Sequence, residues 1–314
     1  MKNIFIGILC AFAASFVLLL IIKPLLKRLK AGQYILGYVK EHKSKNGTPT
    51  MGGLAFIAAI IIVGMCFCGF SDGRVNLTLA ITAGFTVVGF LDDFLKIHRK
   101  ENEGLKPYQK ILFQLAIASV AAVYCYMNGH TNLYVPFGGG LFFDIKWGII
   151  PLVIFIFLAT VNCVNLTDGL DGLAGGTSCA YLLVLGIMLC LQSADFSVLC
   201  FIAAGAVGAF LVFNGSKASI FMGDTGSLAL GGLIACLSVF SGNSLYIPLL
   251  GIMFVISGIS VIVQVIYYKR TRRRVFLMAP VHHHFQMKGY SESKISYAYF
   301  TLTVLVGILC LIFV

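Results

Sequence analysis

The 314-residue chain is 59% hydrophobic and 11% charged, with a mean hydropathy of +0.95. This composition excludes a soluble globular domain and indicates a polytopic helical membrane protein, because the apolar runs are long and unbroken rather than short and alternating as in a β-barrel. The formal net charge of +11 takes its meaning from where the charged residues fall.

Apolar windows predict about ten membrane helices of roughly 15–22 residues each. Their centres lie near Ala13, Ile61, Thr86, Ser119, Phe155, Leu185, Ala206, Ala235, Phe254 and Leu305. The expected fold is an all-α polytopic membrane protein, one integral membrane domain over residues 1–314. Lys23, Lys27, Arg28 and Lys30 follow the first apolar run, and no small-residue cleavage pattern closes it, so it reads as a retained span. The ten cysteines lie mostly inside apolar runs and form no C-x-x-C, which reads as small buried hydrophobes.

Orientation follows from lysine and arginine. Residues 23–45, 96–110, 217 and 269–294 hold 20 of the 23, leaving Lys2, Arg74 and Lys146 on the other side. The positive-inside rule then puts the rich segments in the cytoplasm and both termini outside, in the periplasm of a cell with an inner membrane. On the same assignment Asp92, Asp93, Asp168, Asp171 and Asp224 fall at the cytoplasmic ends of spans, whereas Asp72, Asp144 and Asp195 lie outside. Five near-membrane aspartates inside a basic rim suit metal-bridged anionic substrates better than topology alone does.

Taken along the chain, His42-x-x-Lys45-x-Gly-Thr48-Pro-Thr50-Met-Gly-Gly53 enters the second span; glycine and proline set a turn, and Lys45 and the hydroxyls contact a ligand or anchor the interface. Asp92-Asp93-Phe-Leu-Lys96 closes the third span. Adjacent carboxylates need a cation, a shared proton or a partner, and Lys96 is within helical reach of both. An intrahelical ion pair at a solvated helix end is the competing reading.

The stretch from Asn162 to Gly176 (NCVNLTDGLDGLAGG) places two carboxamides and two carboxylates between apolar runs. Asn162, Asn165, Asp168 and Asp171 are spaced by three, so a helix would gather them on about one face. Asn214 ends the seventh span, as a base or sugar contact or as a cap. Phe221-Met-Gly-Asp224-Thr-Gly precedes the eighth; a glycine-flanked carboxylate there suits Mg2+, or caps the helix. Pro280-Val-His282-His283-His284-Phe285 follows a run of arginines and lacks a zinc-ligand set, so its imidazoles suit phosphates or sugar hydroxyls. No Walker A sequence occurs, which excludes a P-loop ATP-driven pump.

Together TPTMGG, DDFLK, NLTDGLDGLAGG, FMGDTGSLALGG and PVHHHF resemble the polyprenyl-phosphate N-acetylhexosamine-1-phosphate transferases, from about residue 40 to residue 295. TPTMGG and HHHF point to the branch whose donor is UDP-MurNAc-pentapeptide. The resemblance implies transfer of phospho-MurNAc-pentapeptide to undecaprenyl phosphate with Mg2+, giving lipid I and UMP at the cytoplasmic face of the inner membrane. It implies Asp224 as the metal ligand, and Asp92, Asp93 and Asp168 as the catalytic carboxylates. Asn162, Asn165, Asp171, Asn214 and Phe221 would hold the nucleotide end; Lys45, Thr50, Lys96, Lys110 and Gln264 would contact the donor, with His282, His283 and His284 on its phosphates or sugar. An aspartate base in a single displacement is preferred to a phosphorylated carboxylate.

Nucleic acid is not an expected partner, and homodimerisation is left open. Two other readings remain at this point. A related transferase could use another donor such as UDP-GlcNAc. A transporter would need midplane charges and repeated discontinuous helices, whereas Pro248 is one break without a counterpart.

Overall fold

The computed structural model describes residues 2–29, 47–69, 71–99, 101, 103–192, 194 and 196–314. Helices dominate: α1 (Lys2–Arg28), α2 (Gly53–Cys68), α3 (Gly73–Arg99), α4 (Pro107–Met127), α5 (Ile149–Thr167), α6 (Leu173–Leu191), α7 (Ser197–Asn214), α8 (Gly223–Phe240), α9 (Ile247–Leu250), α10 (Ile252–Thr271), α11 (Val281–Met287) and α12 (Glu292–Leu311). Nine of them are long and apolar enough to cross a membrane among the described residues, and α2 is a shorter apolar helix. The predicted ten spans are thereby accounted for.

The helices are arranged around α8, of which 89% is enclosed, with α3, α5 and α2 packed along it. Its glycines explain the close approach. A Cβ on Gly53 of α2 would land on the backbone of Gly226, so the two helices cross glycine on glycine. The outer helices α1, α4, α10 and α12 bury only 22–28% of their length and turn Leu9, Leu112, Ile262 and Leu305 outward. In water that surface would be unstable; against lipid it is the expected one.

At one end of the bundle a short antiparallel hairpin pairs β1 (Asn132–Tyr134) with β2 (Phe142–Asp144), Leu133 opposite Phe143. Tyr134 N–H donates to Gly242 O (3.0 Å), tying the hairpin to the exit of α8. The end of α3 that carries Asp92 and Asp93, the start of α8 and the exits of α5 and α7 all meet at the opposite end. Lys96, Lys110, Lys217 and the arginines after α10 share that end with the aspartates.

Two expectations are corrected. The ninth span is not centred on Phe254: the chain turns through Ser244–Tyr246 and the single turn of α9, breaks at Gly251, and then runs as α10 to Thr271. Pro248 therefore sits in the separate turn and does not bend the span. The helix keeps its backbone bonds past the apolar window, so Lys269 and Arg270 do not end it. The second correction concerns Asn162 to Asp171, which do not form one helical face. Helix α5 ends at Thr167, Asp168 occupies its C-cap, and Gly172 takes φ +70°, turning the chain before α6.

Candidate active site

Two acidic neighbours on α3 face different partners. Asp92 Oδ2 lies 2.6 Å from Lys96 Nζ, the expected i,i+4 ion pair, while its Oδ1 accepts from Leu105 N (2.9 Å). Asp93 turns to the start of α8. Its Oδ1 accepts from Asp224 N (3.2 Å), and its Oδ2 accepts from Thr225 N (2.9 Å) and Thr225 Oγ1 (2.7 Å). A carboxylate from α3 thus satisfies the orphan N–H groups of α8 and meets the positive end of its dipole. The cap that the sequence offered to Asp224 is supplied by Asp93, and Asp224 is left to face the cluster.

There it collects charge. Asp224 Oδ2 lies 2.6 Å from Lys110 Nζ and 3.0 Å from Lys96 Nζ, and its Oδ1 accepts from Asn165 Nδ2 (2.8 Å). Asn165 also donates to Ser227 Oγ (2.8 Å), one turn into α8. Lys96 from α3, Lys110 from α4 and Asn165 from α5 therefore converge on one carboxylate. Lys110 Nζ is also 4.0 Å from Asp92 Oδ2, so the two lysines bridge Asp92 and Asp224.

Carboxylate oxygens of Asp92, Asp93 and Asp224 lie within 4.8 Å of one another. Three hard oxygen donors at this spacing fit a small divalent cation. Among the described residues, the buried Asp92 Oδ2 accepts no hydrogen bond beyond its ion pairs and Asp93 Oδ1 accepts one, so lone pairs remain for a metal. The sequence assigned Asp224 alone; the fold brings two further carboxylates beside it.

Asp168 stands apart. Among the described residues no hydrogen bond reaches its carboxyl group. Burial first, and then the charges of Asp224, Asp93 and Asp171, push it well above the usual carboxylate range. Three residues on, Asp171 is a structural brace: its Oδ2 accepts from Ala218 N (2.9 Å), its N–H donates to Glu292 Oε2 (3.0 Å), and its carbonyl accepts from Ser296 Oγ (2.8 Å).

Several further expectations are redirected by the same kind of engagement. Asn162 turns from the site to Gln114 on α4, donating to its Oε1 at 2.7 Å, because its position faces that helix across the bundle. Asn214 is 3% exposed; it accepts from Gly172 N (3.1 Å) and donates to Ile220 O (2.9 Å), which stitches two loops together. Gln264 accepts from Val275 N and Phe276 N, both at 3.0 Å, clasping the segment after the arginines instead of facing a ligand.

The three histidines divide. His282 is 0% exposed, packed edge-on to Tyr299 and against His283. Burial, and next the neighbouring His283, pull its pKa down to about 3, and among the described residues neither ring nitrogen has a hydrogen-bond partner. His284 Nδ1 accepts from Leu277 N (3.1 Å). His283 is half-buried, and its Nε2 lies beside Gly169, in the turn that carries Asp168: a Cβ built there would be 2.8 Å from it. Thr50 is buried with its Oγ1 beside Gly223, and the Phe221 backbone pairs with Pro49 O and Gly52 N (both 2.8 Å), its ring half-buried. Lys45 lies outside the described residues.

Thr225, Ser227, Gln286 and Glu292 were not singled out from the sequence. Thr225 and Ser227 follow Asp224 within GDTGS, a proximity that could have flagged them. Nothing local marks Gln286 or Glu292, whose partners are distant or across a turn.

Residues 75–242 match the model of glycosyl transferase family 4, and residues 45–57 match a phospho-N-acetylmuramoyl-pentapeptide-transferase signature. Curated relatives of that name are similar over nearly the whole chain. The one from Clostridium perfringens strain 13 is 43% identical over 306 residues, 96% of each chain. Those from Bacillus subtilis strain 168 and Clostridioides difficile strain 630 are each 41% identical, over 308 and 310 residues; they cover 96% and 95% of this chain and 95% and 94% of their own.

Proposed function

Because the chain belongs to the phospho-N-acetylmuramoyl-pentapeptide-transferases, we propose that its aspartate–lysine cluster moves phospho-MurNAc-pentapeptide from UDP-MurNAc-pentapeptide to undecaprenyl phosphate. The products are lipid I and UMP. The observation that carries the site assignment is the convergence of Lys96, Lys110 and Asn165 on Asp224, beside Asp92 and Asp93. A diphosphate donor and a phosphate acceptor bring several negative charges together, and a site for them needs fixed cations where the charge develops. Asp92, Asp93 and Asp224 would hold Mg2+, which when bound neutralises the diphosphate.

The chain's own groups do the rest. Lys96 and Lys110 are 30% and 18% exposed, flexible enough to move from carboxylate to phosphate when substrate arrives. Asp168 takes the role of general base on the acceptor phosphate, since among the described residues no hydrogen bond engages its carboxyl group and burial beside the other aspartates raises its affinity for a proton. Asp93 holds the start of α8, and with it Asp224, in register. His283 and Phe221 face the donor. This assignment selects the base from among the three catalytic carboxylates that the resemblance implies.

The site's position at one end of the spans suits an acceptor whose tail stays in the bilayer, and it disfavours a transporter, which would hold its charges at the midplane. We assign that end to the cytoplasm by the lysine and arginine split. Cysteines introduced at Lys288 and at Asp144 of the parent protein should react with an impermeant maleimide from opposite sides, Lys288 from the cytoplasm. Labelling of Lys288 from outside would reverse the orientation and separate the site from a cytoplasmic donor.

The deciding experiment for the reaction is transfer of radiolabel from UDP-MurNAc-pentapeptide to undecaprenyl phosphate by the purified protein. Lipid-linked product should form with Mg2+, stop with EDTA and return on adding Mg2+, with excess UDP-GlcNAc neither competing nor incorporated. Undiminished transfer in EDTA would sink the metal assignment, and incorporation of UDP-GlcNAc the donor assignment.

A further inference from the structure

The hairpin at the end of the bundle away from the aspartates is apolar on both faces. Cross-strand partners point to the same side, so Leu133 and Phe143 share one face, and Tyr134 and Phe142 share the other. Leu133 is 3% exposed and Phe143 46%: the bundle covers the inner strand, β1, and stops short of the outer one, β2. On the other face Phe142 is edge-on to Tyr134 and more exposed still. Leu141 before it and Trp147 after it are exposed as well. A two-stranded ribbon with aromatic rings uncovered on both sides is not a stable element in water.

What covers those rings follows from their surroundings. At the tip, Phe137 packs edge-on against Phe313, just past α12 (5.4 Å between ring centroids). Trp147 leads straight into α5, which turns Phe155 outward. The apolar surface of the hairpin therefore continues the lipid-facing surface of α5 and α12. Backbone chemistry limits how deep it can go. Val135 N–H donates to Leu141 O (2.8 Å) and Ile145 N–H to Thr131 O (3.2 Å), so in the alternating ladder the backbone groups of Phe142 and Asp144 point to the open edge. An open edge cannot enter hydrocarbon, nor can the charges of Asp144 and Lys146, whereas head groups and their water satisfy all of them. Aromatic rings favour the same layer.

We propose that the hairpin is an interfacial anchor whose partner is the lipid head-group layer at its own end of the bundle, and that it sets the depth of the aspartate cluster in the membrane. The link between the two is α8. Tyr134 N–H donates to Gly242 O, two residues past that helix, and Asp224 lies in its first turn. Its 18 residues, at 1.5 Å each, span about 27 Å, close to the roughly 30 Å of a bilayer's hydrocarbon core. A hairpin held in one interface therefore holds Asp224 at the other. That is where the phosphate of a membrane-bound acceptor lies, a step that rests on the transferase reading.

The chain has one tryptophan, so fluorescence can read the depth of the hairpin. Trp147→Phe removes it, and Phe142→Trp or Phe143→Trp in that background puts a single indole on either face of β2. In proteoliposomes, phosphatidylcholine brominated near the head group should quench both indoles at least about twofold more than lipid brominated near the chain end. Iodide in the water should have little effect. Strong iodide quenching without lipid quenching makes the hairpin a water-exposed loop and overturns the anchor. Shielding from iodide and from both lipids means that protein covers the rings, a second copy or another chain, and overturns it equally. Stronger quenching from the chain end puts β2 in hydrocarbon and overturns the interfacial depth. The depth-setting role has its own variant, Phe142→Ser with Phe143→Ser, which keeps β1 and its bond to Gly242. It should slow transfer to undecaprenyl phosphate about threefold in proteoliposomes and leave it unchanged in detergent, where no bilayer sets a depth. Equal slowing in both media, or none in either, overturns that role, whereas absence of transfer by the parent protein bears on the transferase reading and leaves the quenching result standing.

Discussion

Asp224→Asn should lower turnover by about a thousandfold or more while leaving the protein folded. The carboxamide has nearly the same volume, and its oxygen can still accept from Asn165, so the contact between α5 and α8 survives. What disappears is the charge on which Lys96 and Lys110 converge and which a hard cation requires. Both lysines are partly solvated, so losing that partner costs modest stability, and the thermal midpoint should fall by no more than a few degrees. Calorimetry on the detergent-purified variant should show weakened Mg2+-dependent donor binding. Near-parental turnover at ordinary Mg2+ would reduce Asp224 to a scaffold for the lysines and move the metal assignment to Asp92 and Asp93.

Which parts of this site were legible follows from the distance over which each signal acts. Hydrophobic length is local, and so the ten spans could be read. The exclusion of charge from apolar windows is also local, and it placed Asp92, Asp93 and Asp224 at one end with their lysines. Periodicity failed between Asn162 and Asp171, where α5 ends at Thr167 and Gly172, at φ +70°, turns the chain before α6. Composition reveals nothing about which backbone a carboxamide finds across the bundle. Asn214 and Gln264 were therefore plausible ligand contacts, yet both are engaged by loops. Asp93 makes the same point. The sequence offers it as a twin of Asp92, but the fold makes it the N-terminal cap of another helix, 131 residues away. The glycines of FMGDTGSLALGG, which suggest a ligand cradle, instead largely admit neighbouring helices to α8.

That packing bears directly on the chemistry, because Asp92 and Asp93 sit on α3 and their partners sit on α8. The two helices touch where Gly89 meets the backbone of Asp224 and Thr225: a Cβ at residue 89 would land on the Asp224 carbonyl. Backbone cannot swing aside as a side chain can, so Gly89→Ala must part α3 from α8. Overpacking of this kind costs about 1–3 kcal/mol, and the displacement falls one turn from Asp93, whose oxygens accept from the N–H groups at the start of α8. We expect Gly89→Ala to lower the thermal midpoint by several degrees and to cut transfer at least about a hundredfold, since ligands and lysines would no longer share one centre. Gly84→Ala supplies the control. It lies on the same helix, but its Cβ would make ordinary contact with the Ile117 side chain at 3.4 Å, and activity should stay within about twofold. Equal activity of the two variants would show that the register between α3 and α8 does not set the geometry of the aspartate cluster.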